Sequence, residues 1–201
     1  MLTIALWNQI LALEYQYQQF DSLSVDAEKC IEFFPTQPLA YFLFGAALNQ
    51  KREFKKALTS LQSGIDFVLK DDDLKAEFLG QMGEAEFGLL LTKDALADYE
   101  KALSLAPKNT FVKNNYAYQL ALNELDLIKA EKLIKETLEL FPSEPRYIDT
   151  YGFILFQQGK YAEAKASLEK ACNMNSYQDK SCVEHLGDAL FMLGYKDEAM
   201  V

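Results

Sequence analysis

The chain has 201 residues, of which 50% are hydrophobic and 13% aromatic, so it has enough apolar material to bury a core. Thirty acidic and twenty basic residues give a net charge of −10, with an isoelectric point near 4.7. A surface of that sign repels phosphate groups, so we expect no nucleic acid among the partners.

The apolar residues do not form a membrane-spanning segment. No run approaches the ~18 residues that a transmembrane helix requires, so we predict no direct insertion into a membrane. The apolar start of the chain, Met1 to Leu13, lacks a basic region and is interrupted by Asn8 and Gln9, so it is not a signal peptide. A targeting signal removed from a longer parent chain is compatible with this pattern.

Small residues recur along the chain at a nearly constant spacing. The first column of small residues contains Gly45, Gly83, Ala117, Gly152 and Gly187, at separations of 38, 34, 35 and 35 residues. A second small residue follows each of them after twelve or thirteen positions; these are Ala57, Ala95, Ala130, Ala164 and Ala199. Four positions after the first four alanines stand the bulky residues Leu61, Tyr99, Ile134 and Leu168. This spacing indicates an internal repeat.

In chain order, each repeat is predicted to form two helices. The first helix carries the first small residue, as in PLAYFLFGAALNQ, and the second carries the alanine, as in KDALADYEKALSL. Pro107 and Pro142 end the second helix of two repeats, because proline has no backbone N–H to donate. Counting back from Pro35 identifies a degenerate first repeat. The predicted repeats are 4–37, 38–75, 76–109, 110–144, 145–179 and a truncated 180–201.

This pattern resembles the tetratricopeptide repeat (TPR), a helix–turn–helix unit of ~34 residues. The best-matching segments are SEPRYIDTYGFILFQQGKYAEAKASLEKA and FVKNNYAYQLALNELDLIKAEKLIKETLELFP, which are similar to bacterial members of the family. The resemblance covers essentially the whole chain. It implies an all-α fold, a right-handed superhelical solenoid of antiparallel helix pairs, as a single array over residues 1–201.

Two departures from the family pattern lead to expectations of their own. The acidic insertion Leu69–Asp73 replaces a proline corner, so the turn between the second and third repeats should be longer. The last repeat stops at Val201, just after its alanine, so a helix beginning near Lys196 would lack the rest of its apolar stripe and fray. The chain therefore looks cut from a longer array.

The sequence contains no pattern that predicts catalysis. Its single histidine, His185, makes a catalytic triad or a histidine-based zinc site improbable, and we interpret it as a packing or surface residue. Cys30 falls in a small-residue column and is predicted to fill the core, whereas the pairing of Cys172 with Cys182 is left open. Neighbouring carboxylates such as Glu84 and Glu86 are expected by chance in so acidic a chain. We predict no enzyme, no metal and no cofactor.

The resemblance also implies a binding surface. In this family the first helices of successive repeats line the concave side, where partners usually lie. Helical spacing selects the residues of those helices that face inward, and aromatic and acidic side chains recur among them. The predicted partner-binding residues are Phe42, Asn49, Glu77, Glu84, Phe87, Asn114, Asn115, Tyr118, Arg146, Asp149, Phe153, Phe156, Glu184, Asp188 and Phe191. An alternative is that Phe153, Phe156 and Phe191 only fill gaps between helices.

Some members of the family grip a C-terminal carboxylate with lysines, an arginine and asparagines. Asn115 matches one of those asparagines, but the expected preceding lysine and asparagine are Gly80 and Glu84 here. A partner that offers a chaperone-type C-terminal tail is therefore disfavoured. The acidic surface instead favours a protein or peptide with basic and apolar residues.

From these observations we predict a scaffold that holds a protein segment in its concave groove. The alternative is a structural spacer or recruiting arm within a larger enzyme or envelope assembly. The resemblance to bacterial arrays slightly favours the periplasm or cell envelope over the cytoplasm. The partner, the pathway and the oligomeric state are not predicted.

Overall fold

The structure is a computed structural model that describes residues 2–174 and 180–195. Within these residues it contains eleven α-helices and no strand, so the predicted all-α helical repeat fold is confirmed. The helices are α1 (Ile4–Gln16), α2 (Phe20–Phe33), α3 (Pro38–Gln50), α4 (Phe54–Ile65), α5 (Asp72–Gly88), α6 (Thr92–Leu105), α7 (Thr110–Leu122), α8 (Leu127–Leu140), α9 (Pro145–Gln157), α10 (Tyr161–Cys172) and α11 (Lys180–Met192).

The chain divides into two compact units, of which the first ends at Val112 and the second begins at Lys113. The grouping of all repeats into one array therefore stays a prediction. The predicted helix near Lys196 lies outside the described residues.

Consecutive helices of the first unit pack against one another, and the odd-numbered helices α1, α3 and α5 also contact in sequence. Their shared core contains Trp7, Leu23, Cys30, Leu61 and Phe78, all buried. Cys30 is a free thiol inside this core, as predicted from its column. Burial of this apolar surface holds the helices together, because a short helix is marginal in water without tertiary packing.

The small residues mark the closest approach between the two helices of a pair. A Cβ atom built on Gly45 would lie 2.4 Å from Cγ of Leu61, and one on Gly83 would lie 2.7 Å from the ring of Tyr99. In the second unit, a Cβ on Gly152 would lie 2.6 Å from Cγ of Leu168. The bulky residues of the repeat pattern thus occupy the space that a side chain would need in the partner helix.

The turn between the two helices of each pair has the same backbone feature in every repeat. One residue with a positive φ follows each odd-numbered helix; these residues are Gln18, Arg52, Leu90, Glu124, Gly159 and Gly194. The left-handed conformation reverses the chain after a helix end, and glycine adopts it at the lowest cost. Only Gly159 and Gly194 among them are glycines, so the turn geometry is maintained mainly by packing of the flanking helices.

The acidic insertion begins a helix as well as extending a turn. The connection between α4 and α5 runs over residues 66–71, against 34–37 between α2 and α3, so the predicted longer turn is confirmed. Asp71 caps α5, because its side chain accepts a hydrogen bond from the Leu74 N–H at 2.9 Å. Asp72 and Asp73 lie in the first turn of α5, where the helix dipole favours negative charge.

A disulfide bond ties two helices of the second unit. Cys172 at the end of α10 is bonded to Cys182 in α11, with a Cα–Cα distance of 6.0 Å. The pairing that the sequence left open is therefore present in the structure. Around it, Ile148 of α9 and Ala171 of α10 are buried against Cys182. The bond adds a covalent constraint to the packing of α11.

We expect Gly83→Ala to destabilise the first unit by about 1–3 kcal/mol, because the new methyl group would overlap the Tyr99 ring. Gly80→Ala in the same helix is the matched control. A Cβ at Gly80 would lie 3.7 Å from Tyr99, which is ordinary contact, and alanine favours the helix. Urea denaturation of both variants measures the difference, and equal midpoints would contradict the assigned close approach.

Reduction of the disulfide should destabilise the second unit by about 2–3 kcal/mol, since a loop of this length is no longer closed in the unfolded chain. The variant Cys172→Ser with Cys182→Ala should unfold at the same denaturant concentration as the reduced protein. Adding dithiothreitol to that variant is the control and should change nothing. A wild-type protein whose midpoint is unaffected by the reductant would show that the bond does not support α11.

Candidate functional site

Four polar side chains of α3 and α5 form a hydrogen-bonded group in the first unit, here named the α3–α5 polar group. Asn49 Nδ2 donates to the main-chain oxygen of Gln81 at 2.9 Å and to its side-chain Oε1 at 3.0 Å. Gln50 Nε2 donates to Glu84 Oε1 at 3.4 Å. The structure thus brings together Asn49 and Glu84, two of the predicted partner-binding residues.

Glu84 is the ionisable member of the α3–α5 polar group. Burial raises its pKa from 4.5 to about 7, although the hydrogen bond with the Gln81 side chain acts in the opposite direction. A carboxyl group with this pKa is partly protonated at neutral pH. A cation placed beside Glu84 favours the ionised form, so a basic side chain bound there would displace a proton.

Asn49 adds an unused acceptor to the same group. Its side chain is 3% exposed, and its Oδ1 atom is buried without a hydrogen-bond donor. A buried acceptor without a partner costs about 1–3 kcal/mol, so a ligand N–H that reached this oxygen would recover stability. This oxygen has no surface exposed to solvent, so a ligand that carries donors would contact the partly exposed carboxyl group of Glu84 first.

Glu77 lies in a second acidic cluster of the first unit. Asn109 Nδ2 donates to Glu77 Oε1 at 3.2 Å and to Asp73 Oδ1 at 3.3 Å. Burial raises the pKa of Glu77, and the nearby Asp73 acts in the same direction. This cluster is acidic and already has a neutral donor, Asn109, between its two carboxylates.

Asp149 in the second unit is not an open groove carboxylate. It is 5% exposed, and its Oδ1 lies 3.0 Å from Nδ1 of His185. The ring of Phe153 stacks on His185 at 4.3 Å between centroids, and Tyr118 lies 5.4 Å from Phe153. The prediction that Asp149 contacts a partner is therefore corrected, because the side chain is buried and its carboxylate already contacts His185 of this chain.

His185 is accordingly a packing residue, one of the two interpretations made from the sequence. Its contact with Asp149 was not predicted, since the two residues lie 36 positions apart. The repeat period was the only available signal: residues about one repeat apart on successive first helices are candidates to meet. For Phe153, burial at 6% exposure favours the gap-filling alternative.

Two more predicted aromatic residues are buried in the first unit. Phe42 contacts Phe78, with ring centroids 5.4 Å apart, and Phe87 contacts Tyr99 at 6.3 Å. Both are at most 6% exposed, so they pack between helices of this chain. That Phe42 and Phe87 bind a partner stays a prediction, and their low exposure does not support it.

The remaining predicted residues are more accessible. Glu184, Asp188 and Phe191 are exposed and follow one another at i, i+4 and i+7, so they share one face of α11. Arg146 is exposed, and its Nε lies 3.0 Å from Glu144 Oε1. Partly buried are Asn114, Asn115, Tyr118 and Phe156, with Asn114 Nδ2 donating to Asn115 Oδ1.

Glu86 is a buried acid that the sequence treated as unremarkable. It is 7% exposed, and its Oε2 atom has no hydrogen-bond partner. Burial raises its pKa from 4.5 to about 7, and Asp98 and Asp94 add to the rise. Spacing alone could not distinguish Glu86 from the many exposed acids of the chain.

No group of three His, Cys, Asp or Glu side chains suited to a metal ion occurs within residues 2–174 and 180–195. Over the same residues, none of the helices combines the length and the apolar character needed to cross a bilayer.

Residues 146–178 match the sequence model of the tetratricopeptide repeat. The TPR repeat-containing protein PA4667 of Pseudomonas aeruginosa is 28% identical over 152 residues, which are 74% of this chain and 24% of that protein. The chain therefore spans about a quarter of the length of this relative.

Solved structures of the same class are similar over almost the whole chain. The TPR protein TTC0263 of Thermus thermophilus has a TM-score of 0.77 at 17% identity, covering 92% of this chain and 97% of that chain. PilW, a type IV pilus biogenesis factor, has a TM-score of 0.69 at 18% identity, covering 98% and 88%. The resemblance to the tetratricopeptide repeat family is confirmed, and the fold is that of an all-α helical-repeat protein.

We expect Glu86→Gln to stabilise the first unit by about 1–3 kcal/mol at pH 8. The raised pKa means that the folded state binds the proton more tightly, so the free energy of unfolding of the parent falls as pH rises from 4.5 to about 7. The variant lacks this loss, and the difference should vanish below pH 5. Denaturation at both pH values tests it, with the exposed Glu32→Gln as control. A gain that persists below pH 5 would contradict the burial of the charge.

Proposed function

We propose that the chain is a non-catalytic protein-interaction module whose α3–α5 polar group binds a segment with basic and apolar residues. Proteins of this repeat family generally bind other proteins or peptides through their helical surfaces, which supports the general class. The observation that carries the proposal is the partly exposed carboxyl group of Glu84, which accepts a hydrogen bond from Gln50 of α3 and whose pKa burial raises to about 7. This carboxyl group gains from a ligand that supplies a cation and N–H donors.

The charge of the chain supports the same chemistry. A net charge of −10 attracts cationic segments over distances of about a Debye length, ~8–10 Å at physiological salt, and repels acidic ones. The exposed face of Glu184, Asp188 and Phe191 on α11 offers the second unit a comparable combination of carboxylates and an aromatic ring. We propose that both surfaces contact basic partners, and that each contributes to affinity by itself.

A second candidate function is a recruiting arm within a longer protein. The chain matches only 24% of its relative from Pseudomonas aeruginosa, so a repeat segment of this kind forms part of a larger chain there. In that case the α3–α5 polar group would bind a segment of the same protein or assembly. The two candidates differ in the source of the ligand and share its basic chemistry.

We also propose a location outside the cytoplasm, in the periplasm or cell envelope. The disulfide between Cys172 and Cys182 supports it, because such bonds persist in oxidising compartments. The fold likeness to a type IV pilus biogenesis factor is compatible with this location. Alkylation of the protein from cell fractions, denatured without a reductant, should modify one cysteine if the bond is formed and three if it is not, because the buried Cys30 is then exposed as well.

The test of the proposed function uses a fluorescent twelve-residue peptide in which Lys alternates with Val and Tyr. Glu84→Gln should weaken its binding about 3- to 10-fold at low salt, because a charge-assisted hydrogen bond is lost. For the parent chain, affinity should rise between pH 5.5 and pH 8 as Glu84 ionises, since its pKa is about 7. Fluorescence anisotropy measures both effects.

The matched control is Asp66→Asn, which removes one negative charge at an exposed position after α4. It should leave affinity within about twofold of the parent, since exposed charges away from the site act only through screened attraction. A peptide with Glu in place of Lys should not bind. Equal losses in the two variants, or a pH dependence that Glu84→Gln retains, would refute the assignment of Glu84 as the cation site.

A further inference from the structure

A cleft of about 910 Å³ opens between α2 and α4, away from the α3–α5 polar group. Helix α3 packs against both α2 and α4, whereas the backbones of α2 and α4, both fully described, do not approach each other to within 8 Å between Cα atoms. Side chains from α3 and its neighbours therefore remain accessible between them. The apolar lining residues are Ile31, Tyr41, Phe44, Phe54 and Leu89, all partly exposed. We name this space the α2–α4 cleft.

The charged residues of the α2–α4 cleft are segregated by helix. Glu28 and Glu32 come from α2, whereas Arg52, Lys55 and Lys56 come from the turn before α4 and its first turn. Glu53 also lines the cleft on the basic side and is paired with Lys56, so three cations and one carboxylate leave that side with a net positive charge. The cleft thus has an acidic side and a basic side, with an apolar lining that includes two residues of α3.

Three of these charges lie at the helix end that disfavours them. Glu32 is in the last turn of α2, where the helix dipole is negative, and Lys55 and Lys56 are in the first turn of α4, where it is positive. These placements cost stability, and departures from a local rule of this kind concentrate at functional sites. The same placements strengthen the electrostatic potential on each side of the cleft, because the charged side chains have the same sign as the helix end on which they lie.

We propose that the α2–α4 cleft binds an amphipathic α-helix of another protein, with an apolar stripe, an acidic edge and a basic edge. The apolar stripe covers the lining from Phe44 and its neighbours, the acidic edge meets Lys55 and Lys56, and the basic edge meets Glu28 and Glu32. A helix about 10 Å across with a pitch of 5.4 Å fills roughly 400 Å³ per turn, so the cleft holds about two turns. Helix-in-groove recognition uses this combination of stripe and edges.

A second copy of this chain does not supply such a helix from its exposed N-terminal end. Leu6 and Leu13 are exposed on α1, Leu2 is exposed just before it, and Glu14 is the only charged residue of the helix. A helix without charged edges forms no ion pair with either the acidic or the basic side of the cleft. The charge complementarity therefore selects a helix with opposite charges on its two edges.

The test uses three synthetic fourteen-residue helical peptides that share one leucine stripe. The first has Glu on one edge and Lys on the other, the second has Glu on both edges, and the third has Lys on both. The first peptide should bind the full chain about tenfold more tightly than either of the others, because only it satisfies both sides of the cleft. Equal binding of all three would overturn the proposal.

Charge reversal in the protein provides the reciprocal experiment. Lys55→Glu with Lys56→Glu should weaken binding of the mixed peptide about tenfold and raise the affinity of the all-Lys peptide. The control Lys70→Glu with Lys93→Glu makes the same charge change at two exposed positions outside the cleft, and it should leave the peptide preference unchanged. Unchanged preference in the cleft variant would overturn the proposal.

The remaining alternative occupant of the cleft is a second copy of this chain, and analytical ultracentrifugation tests it by measuring whether the chain dimerises. A dimer of the parent chain that Lys55→Glu with Lys56→Glu dissolves would overturn the proposal in favour of a second copy. This inference is independent of the function proposed for Glu84. Glu84→Gln should leave helix-peptide binding intact, and the cleft variant should leave the pH dependence at the α3–α5 polar group intact.

Discussion

The close approach of the two helices in each pair is the constraint on which the rest of the structure depends. At Gly45, Gly83 and Gly152 the backbone of the first helix is covered directly by a bulky residue of the second helix, with no room for a Cβ atom. This contact sets how near the helices lie and how each is rotated about its axis. The rotation in turn decides which side chains of the first helices point away from their partner and remain available for polar chemistry.

The polar residues of those helices illustrate the cost of placing hydrogen-bonding groups on a packed surface. Asn49, Gln81 and Glu84 join α3 to α5 by hydrogen bonds, but burial leaves one amide oxygen unpaired and raises the pKa of Glu84. In the second unit, the buried Asp149 does not incur the cost of an unpaired polar group, because its carboxylate contacts Nδ1 of His185. Polar groups that are hydrogen-bonded within the chain stabilise it. Polar groups that lack such a bond are the ones with which a bound partner can form one.

Two surfaces of the first unit therefore differ in how they offer binding energy. The α3–α5 polar group is acidic and partly desolvated, and we propose that it discriminates between ligands by their charge and their hydrogen-bond donors. The α2–α4 cleft has an apolar lining, and three of its charged residues, Glu32, Lys55 and Lys56, lie against the helix dipoles of α2 and α4. The two proposed sites do not share a residue, so both proposals together imply one module that holds two ligands of different chemistry.

By itself the sequence determined the repeat period, the all-α class, the small-residue columns of Gly83 and Gly152, and the longer connection before α5. These features depend on the size and periodicity of residues that are close along the chain, which local spacing records directly. The tertiary structure alone decided the bond of Cys172 to Cys182, the contact of Asp149 with His185, and the burial that raises the pKa of Glu84 and Glu86. Those depend on which distant residues meet and how much water remains between them, and packing in three dimensions determines both.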